Sequence, residues 1–511
     1  MKKFLYVVAA ALLSMTMNSC GEDWLAVQSH DKIYIDEYYN TPDRIYEALV
    51  AAYDPLQWFD FTNDGYNPVP LIYELMGDNC YPGGGHNKDN EHWHNMFNYK
   101  ALSTDATVSV WITAYSGVNR SNCVAQYMPD VQGISDAKKA EYLAEASVLR
   151  TWYFTQLWKL WGNIPYYEVN LEFPYICKQS TADEVYAAME SSLRAVIESN
   201  ALPMKRTAAA EQGRLTQAAA MMLYADIAMN YGKNKDHLQN ALNYMETIIA
   251  STDYSLVSSE DLKNMWEPAG EWSCESIFEI NYTDNQAVRD WGTPMASGGT
   301  VTPQVVGPRQ LAGSAKYKET DCYGFFPITT MAADAFEAGD IRKDVTIYRP
   351  DSEGATYEAR YQDTGNFLAK YCPRITGNAD AVASGAVNFD NNVRIYRYAE
   401  TLLNAAELIV VNKCTGKGSA DDYFNQVRTR AGLGTVPATA ESILQERRVE
   451  FIGEGKRYHD LMRFGVAATV LTPANDVGGY RVNPWTENKR YIPIPQSEID
   501  ASQGTLVQNN Y

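Results

Sequence analysis

A mostly α-helical fold follows from three patterns in the 511-residue chain. Between Ala137 and Trp161, Tyr142, Ala146, Leu149, Tyr153, Leu157 and Leu160 recur three or four apart, which places them on one helix face. Between Thr216 and Tyr231, Ala218, Ala219, Ala220, Ala225 and Ala228 leave room for a second helix to approach closely. From Ile443 to Gly465, Leu444, Phe451 and Tyr458 recur at intervals of seven and Leu461 continues their face, so the spacing predicts one long helix.

The N-terminus reads as a targeting segment. Lys2 and Lys3 form a basic start, and Phe4 to Met17 is an apolar run too short to span a membrane. It ends at Asn18, Ser19 and Cys20. A small residue before cysteine is where bacterial lipoprotein signal peptidase cuts, so residues 1–19 are expected to be removed and Cys20 lipidated. The competing reading is an ordinary secretory signal that contains a cysteine. No later run approaches the roughly 18 apolar residues of a membrane span. Hydrophobic residues make up 46% of the chain, enough for a large core, and the net charge of −20 disfavours nucleic acid and anionic membrane surfaces as partners.

Residues 20–40 then form a tether, and residues 41–511 a single domain. Thr41 to Leu56 begins as a helix, with Thr41 as N-cap, Pro42 in the first turn and Asp43 at the positive end. Gln57 to Ser103 reads as a mixed loop, too polar and glycine-rich for core. Helices follow at Thr107–Tyr127, Ala137–Trp161, Thr181–Glu198, Thr216–Tyr231 and Asp236–Ala250; Thr181 and Glu184 stand in capping-box register. Short loops between helix pairs point to tetratricopeptide-like stacking within residues 41–252, although no 34-residue period is visible. From about 253 to 391 the pattern turns irregular. Ser276–Tyr282 reads as a strand and only Thr329–Ala338 as helix, and such long irregular segments on a scaffold usually carry function. Helices resume at about Asn392, with Ile395, Tyr398, Leu402, Ala405 and Ile409 as a stripe, and continue through Ala420–Arg430 to 465. Residues 466–511 read as extended.

In the 443–465 stretch, Glu446, Glu450 and Glu454 lie four apart, and such a stripe of like charges persists only where cations offset it. Arg428, Arg430 and Arg447 are the expected partners. The stretch then clamps helices together, packed on the Ile395–Ile409 helix. The alternatives are an active site or a glycosidase carboxylate pair, which sequence alone leaves open. No GxSxG, HExxH or P-loop pattern occurs, and structural ion pairing is preferred.

Several segments together resemble the SusD/RagB family of nutrient-binding outer-membrane lipoproteins. They are Cys20 with Trp24-Leu25; Glu145-Ala-Ser-Val-Leu-Arg150 running to Leu160-Trp-Gly-Asn-Ile-Pro165; Gly213-Arg-Leu-Thr216; Arg397-Tyr-Ala-Glu400 with Leu403-Asn-Ala-Ala-Glu407; Phe424 to Leu433; Glu446-Arg-Arg-Val-Glu450 with Glu454-Gly-Lys-Arg457; and Ile492-Pro-Ile-Pro495 with Gln508-Asn509. They keep the family's order across nearly the whole chain. Glu22 and Asp23 behind Cys20 also resemble the surface-export signal of Bacteroidetes lipoproteins. The resemblance implies a tetratricopeptide-like scaffold whose loops hold a ligand. It implies a non-catalytic, cell-surface glycan-binding lipoprotein of the outer membrane that hands oligosaccharides to a SusC-like TonB-dependent transporter. Capture of peptides or glycopeptides is the alternative, and neither cofactor nor metal is implied.

The family's ligand aromatics lie outside its recognisable motifs, so the candidate site rests on chemistry. Tyrosines number 36 against 15 phenylalanines, and a tyrosine ring can stack on a sugar's C–H face while its hydroxyl bonds the rim. Tyr153, Trp158 and Trp161 stand at helical spacing and are assigned to packing. Tyr81, Trp93, Trp291 and Tyr323 lie in polar stretches and are the candidate ligand aromatics, with Asp78, Asn79 and Asn95 as candidate hydroxyl partners. His86, His92 and His94 with Asp89 and Glu91 lack a third ligand at a decisive position, so a ligand loop is preferred to a metal site. The seven cysteines beyond Cys20 are odd in number and form no CxxC pair, so neither a metal framework nor a full disulfide framework is expected, and most should be buried.

Overall fold

The computed structural model describes residues 38–63, 65–105 and 107–511. Cys20 and the targeting segment lie outside them. The scaffold is a series of antiparallel helix pairs packed in chain order. Pro42–Tyr53 packs on Val108–Tyr127, which packs on Asp136–Trp161; Ala182–Ser199, Gln217–Tyr231 and Lys235–Ser251 follow. Lys235–Ser251 then packs on Tyr398–Val410, so the stack jumps the whole irregular segment and continues into Ala420–Arg430 and Ala440–Phe451. Close crossings depend on small residues: a Cβ on Gly117 would stand 2.3 Å from the Tyr153 ring, and the five alanines of Gln217–Tyr231 are all buried.

Local chemistry sets the helix starts. The side chains of Thr41, Ser135, Thr181, Thr216 and Ser419 each accept a first-turn N–H, and Thr181 and Glu184 close the capping box.

Several expected elements are corrected: residues 466–511 are not wholly extended, since they contain short helices Ala467–Val470 and Gln496–Ala501. Ile395 is not helical: Val393–Arg397 is a strand, antiparallel to Ser276–Ile280, and the helix begins only at Tyr398. Val393–Arg397 shows no period-two alternation and is buried almost throughout, so the strand is set by its pairing, whereas the stripe suggested a helix. Residues 57–103 are not a surface loop; they contain helices Val69–Met76 and Glu91–Phe97, whose residues are almost all buried. The 443–465 helix breaks after Phe451 and restarts at Arg457. Gly453 and Gly455 in the gap have φ of +86° and +72°, and a Cβ on Gly455 would meet the Pro70 carbonyl oxygen at 2.6 Å. Both glycines are therefore positions that other residues occupy only with strain.

The carboxylate stripe is a buried clamp. Glu446 accepts from Arg342 at 2.6 Å and Arg428 at 3.0 Å; Glu450 accepts from Arg430 at 2.6 Å, with Arg397 and Arg342 at 3.0 Å; Glu454 accepts from Lys370 at 2.6 Å and Arg397 at 2.8 Å. Arg447 does not join it, contrary to expectation; it forms an ion pair with Asp460 at 3.0 Å and donates to Asn404 at 2.7 Å. Arg397 and Arg430 also hold Glu275. The clamp thus ties the irregular segment, through Glu275, Arg342 and Lys370, to the helices after 397. Among the seven cysteines beyond Cys20, Cys80, Cys322 and Cys372 are buried and Cys274 is exposed, so burial is less general than expected. Among the described residues, no helix is long and apolar enough to cross a membrane.

Candidate functional site

Five of the seven candidate residues prove to be interior, which corrects the expectation that their stretch faces solvent. Trp93 is fully buried, with its ring against Phe325 at 4.9 Å and Phe326 at 4.7 Å. Tyr81 is buried and donates to Asp476. Asn95 donates to Asp105 at 3.2 Å, and Asn79 donates to Glu74 at 2.9 Å. Burial pushes the Asp78 carboxyl up, but Arg457 at 2.7 Å and Arg448 at 3.1 Å outweigh it and hold the group well below the usual range. Asp78, Asn79 and Tyr81 tie the 77–98 segment to residues 448–476, Trp93 and Asn95 pack it in the interior, and all five are buried. His92 and His94 are buried with it, and burial lowers each to about 4. Among the described residues, no three His, Cys, Asp or Glu side chains are placed to hold a metal ion.

Trp291 and Tyr323 are brought together on the surface. Between them stands Tyr66, which the sequence reading missed. The Tyr66 ring lies 6.2 Å from Trp291 and 6.1 Å from Tyr323, and Phe61 stacks behind it at 5.3 Å while meeting Trp291 edge-on at 5.5 Å. Trp291 is 40% exposed, and Tyr66 and Tyr323 are half-buried. The result is an aromatic ledge at the surface, open to solvent most at Trp291 and bearing two tyrosine hydroxyls. Burial, followed by the neighbouring Tyr323 hydroxyl, raises the Tyr66 hydroxyl well above its ordinary range, so it stays protonated and can donate. A signal for Tyr66 was present. Phe61-Thr-Asn-Asp-Gly-Tyr66 has aromatic residues flanking a Gly-containing turn, and Phe61–Thr62 pairs with Gly65–Tyr66 as a hairpin.

A buried ion pair fixes the ledge. Arg289 donates to Asp60 Oδ1 at 2.7 Å, to the Phe61 carbonyl at 2.9 Å, to Gly299 O at 2.7 Å and to Pro294 O at 2.6 Å. Asp60 also accepts from the Thr300 hydroxyl at 2.7 Å and the Val301 N–H at 2.9 Å. The 289–301 loop is thus pinned to the hairpin, and Trp291 is held beside Phe61. Asn388 ties the same loop from the other side, donating to Arg289 O at 2.7 Å and accepting from Gly299 N–H at 3.1 Å. Tyr323 is placed by its N–H bond to Gln304 O at 2.9 Å, and Phe325, whose ring lies 6.4 Å from Tyr323, connects the ledge to Trp93 beneath. Trp93 therefore supports the ledge from the core. A rigid, pre-organised row of rings binds a planar or ring-faced ligand with little ordering penalty.

The clamp offers no such site. Each of its carboxylates already bonds at least two cations, and all are buried.

Two family models match the chain: the SusD family over residues 341–511, and one described as starch-binding associating with outer membrane over residues 23–229. Among solved structures, surface glycan-binding protein A from Bacteroides thetaiotaomicron in complex with laminarihexaose is similar. It has 44% sequence identity and a TM-score of 0.87, over 92% of this chain and 100% of that one. A laminarin binding SusD-like protein matches at 26% identity and a TM-score of 0.82, over 92% of this chain and 100% of that one. SusD-like protein P25 of Formosa agariphila is 23% identical over 97% of this chain and 96% of its own length.

Proposed function

This chain belongs to the SusD family, and from that premise we propose that it is a cell-surface glycan-binding lipoprotein that captures oligosaccharides without catalysis. The observation that carries the reading is the partly exposed Tyr66–Trp291–Tyr323 ledge, in which the Asp60–Arg289 pair fixes the hairpin of Tyr66 against the loop of Trp291. Stacking of sugar C–H faces on the rings and hydrogen bonds to the tyrosine hydroxyls supply affinity. Laminarin and laminarihexaose name the ligand class of the similar proteins, so a glucan of that kind is the proposed ligand here. Delivery to a SusC-like TonB-dependent transporter and anchoring to the outer membrane through lipidated Cys20 complete the proposal. The anchor is supported by the Ser19-Cys20 pair behind the basic, then apolar, N-terminal segment. Absence of catalysis is supported by the similar proteins, which are glycan-binding proteins.

Calorimetric titration with laminarihexaose tests the site. Trp291→Ala and Tyr323→Ala are each expected to weaken binding about tenfold or more, the size of a central binding residue. Unchanged affinity in both would remove the ledge as the site. A wild-type protein that binds no member of a glycan panel but retains peptides would overturn the ligand class in favour of peptide capture. Release of glucan fragments that disappears in Glu→Gln variants would refute the non-catalytic reading.

A further inference from the structure

A second concave surface lies away from the ledge and shares none of its residues. It is a cleft of about 590 Å³ between the Val108–Tyr127 helix, the 165–177 loop and the C-terminal Gln496–Ala501 helix with the residues after it. That volume falls within the range of small-ligand sites. Its walls are aromatic. Tyr115 and Tyr167, both half-buried, stack with 5.9 Å between centroids and 11° between planes, Tyr175 stands at the mouth, 69% exposed, and Trp111 lies buried beneath them against Trp161 at 5.1 Å. The rings are held by their polar ends. The Tyr115 hydroxyl donates to Pro165 O at 2.7 Å, the Tyr167 hydroxyl donates to Asn119 at 3.0 Å, and Asn170 donates to Asn119 O at 3.0 Å. The loop that carries Tyr167 and Tyr175 is therefore tied to the helix that carries Trp111 and Tyr115.

The lining chemistry narrows the ligand. No Lys, Arg or His lines the cleft, so phosphates, sulfates and uronates find no counter-charge there. Glu498 is the one carboxylate in the lining, too few charged ligands to hold a metal cation. What remains is a neutral ring with apolar faces and hydroxyl edges, matched by the Tyr167 and Tyr175 rings and by the Glu498 and Ser116 side chains. We infer that this cleft is a second binding site for a neutral pyranose unit, distinct from the Tyr66–Trp291–Tyr323 ledge. The inference rests on the glycan reading of the chain. One molecule then grips a glucan, or two glucan chains, at two places, and affinity for polymer rises above that of the ledge alone.

The test uses laminarihexaose and a Trp291→Ala/Tyr323→Ala protein, in which the ledge is disabled. Titration and ligand-observed NMR are expected to show residual binding about 10- to 100-fold weaker than wild type. Adding Ser116→Trp, which fills the cleft, or Tyr175→Ala, which removes its mouth, should weaken that residual binding by a further factor of about ten. Ser116→Trp alone should leave the tighter ledge affinity within about twofold of wild type. Thermal melting of each variant confirms folding. If the double variant shows no binding while wild type binds, the second site is wrong and the ledge stands. Residual binding that neither cleft substitution moves also overturns it, as it would if the cleft met a protein surface instead. If wild type itself binds no glycan, the glycan reading fails first and the cleft proposal falls with it.

Discussion

Trp93 and Trp291 show how one residue type divides between support and contact. Trp93 is enclosed by Phe325 and Phe326, and Trp93→Ala leaves a large cavity whose expected penalty is about 3–5 kcal/mol in a chemical denaturation experiment. Trp291→Ala removes a 40% exposed ring, and its effect belongs to affinity, with melting temperature nearly unchanged. The sequence placed both in polar stretches, because local composition does not report which polar neighbours are themselves paired. Asp78, Asn79 and Asn95 looked solvent-facing for that reason; each spends its polarity on Arg457, Glu74 or Asp105. His92 gives a pH test at the same scale. Its folded pKa, lowered to about 4 by burial, lies below the unfolded value near 6.5. The unfolded chain therefore binds more protons between those values, and stability from this group is present above about pH 6.5 and lost as pH falls towards 4. The loss amounts to about 3 kcal/mol at full titration. Compared by urea melts at pH 7 and pH 4.5, His92→Asn should show a smaller acid-induced loss than wild type. An equal loss in both proteins would assign the acid sensitivity elsewhere.

Elements were legible where one face alone is buried, and illegible where tertiary pairing decides. The 136–161, 182–199 and 217–231 helices carry their own caps and stripes, and their ends fall within a residue or so of the expected ones. Val393–Arg397 escaped because its partner, Ser276–Ile280, is more than a hundred residues away, and no local pattern reports that pairing. The break between Phe451 and Arg457 was signalled by Gly453 and Gly455, but the continuing apolar spacing concealed it. Glycine is required there by geometry. Gly455→Ala combines a φ of +72° with a 2.6 Å approach to the Pro70 carbonyl, so it is expected to lower stability by more than the roughly 1 kcal/mol of an ordinary left-handed position. Gly465→Ala, at φ +69° with nothing within 4 Å, is the control and should cost less. Equal melting temperatures for the two variants would show that the Pro70 approach is relieved by backbone movement. The same scale explains the ledge: the Asp60–Arg289 pair sets the angle between hairpin and loop, which no single ring determines.

At the scale of the molecule, the clamp decides whether the irregular 253–391 segment is a separate unit. Glu275, Arg342 and Lys370 come from it, and Arg397, Arg430, Glu446, Glu450 and Glu454 come from the helices and strand that follow. Detaching either side leaves several charges buried without partners, and one such break costs about 3–5 kcal/mol. The segment therefore has no inexpensive route to open alone, and the whole described fold is expected to melt in one calorimetric transition despite a length at which chains commonly unfold in stages. Glu450→Ala removes the carboxylate that Arg430, Arg397 and Arg342 share, leaving three buried cations with fewer counter-charges. It should lower stability by about 3 kcal/mol or more, and leave laminarihexaose affinity unchanged at temperatures where the protein is folded, because the ledge touches no clamp residue. Acid should act through the same group. Burial pushes Glu450 up, yet Arg430, Arg397 and Arg342 outweigh it and hold it well below its ordinary range. Its stabilising contribution is thus present above about pH 4.5, the unfolded value, and is lost as pH falls towards the folded one. In Glu450→Ala the part of the acid-induced loss below pH 4.5 that belongs to this carboxylate should be missing. Two resolved transitions in the wild type at pH 7 would show instead that the 253–391 segment unfolds by itself, and that the ion pairs join two units without making them one.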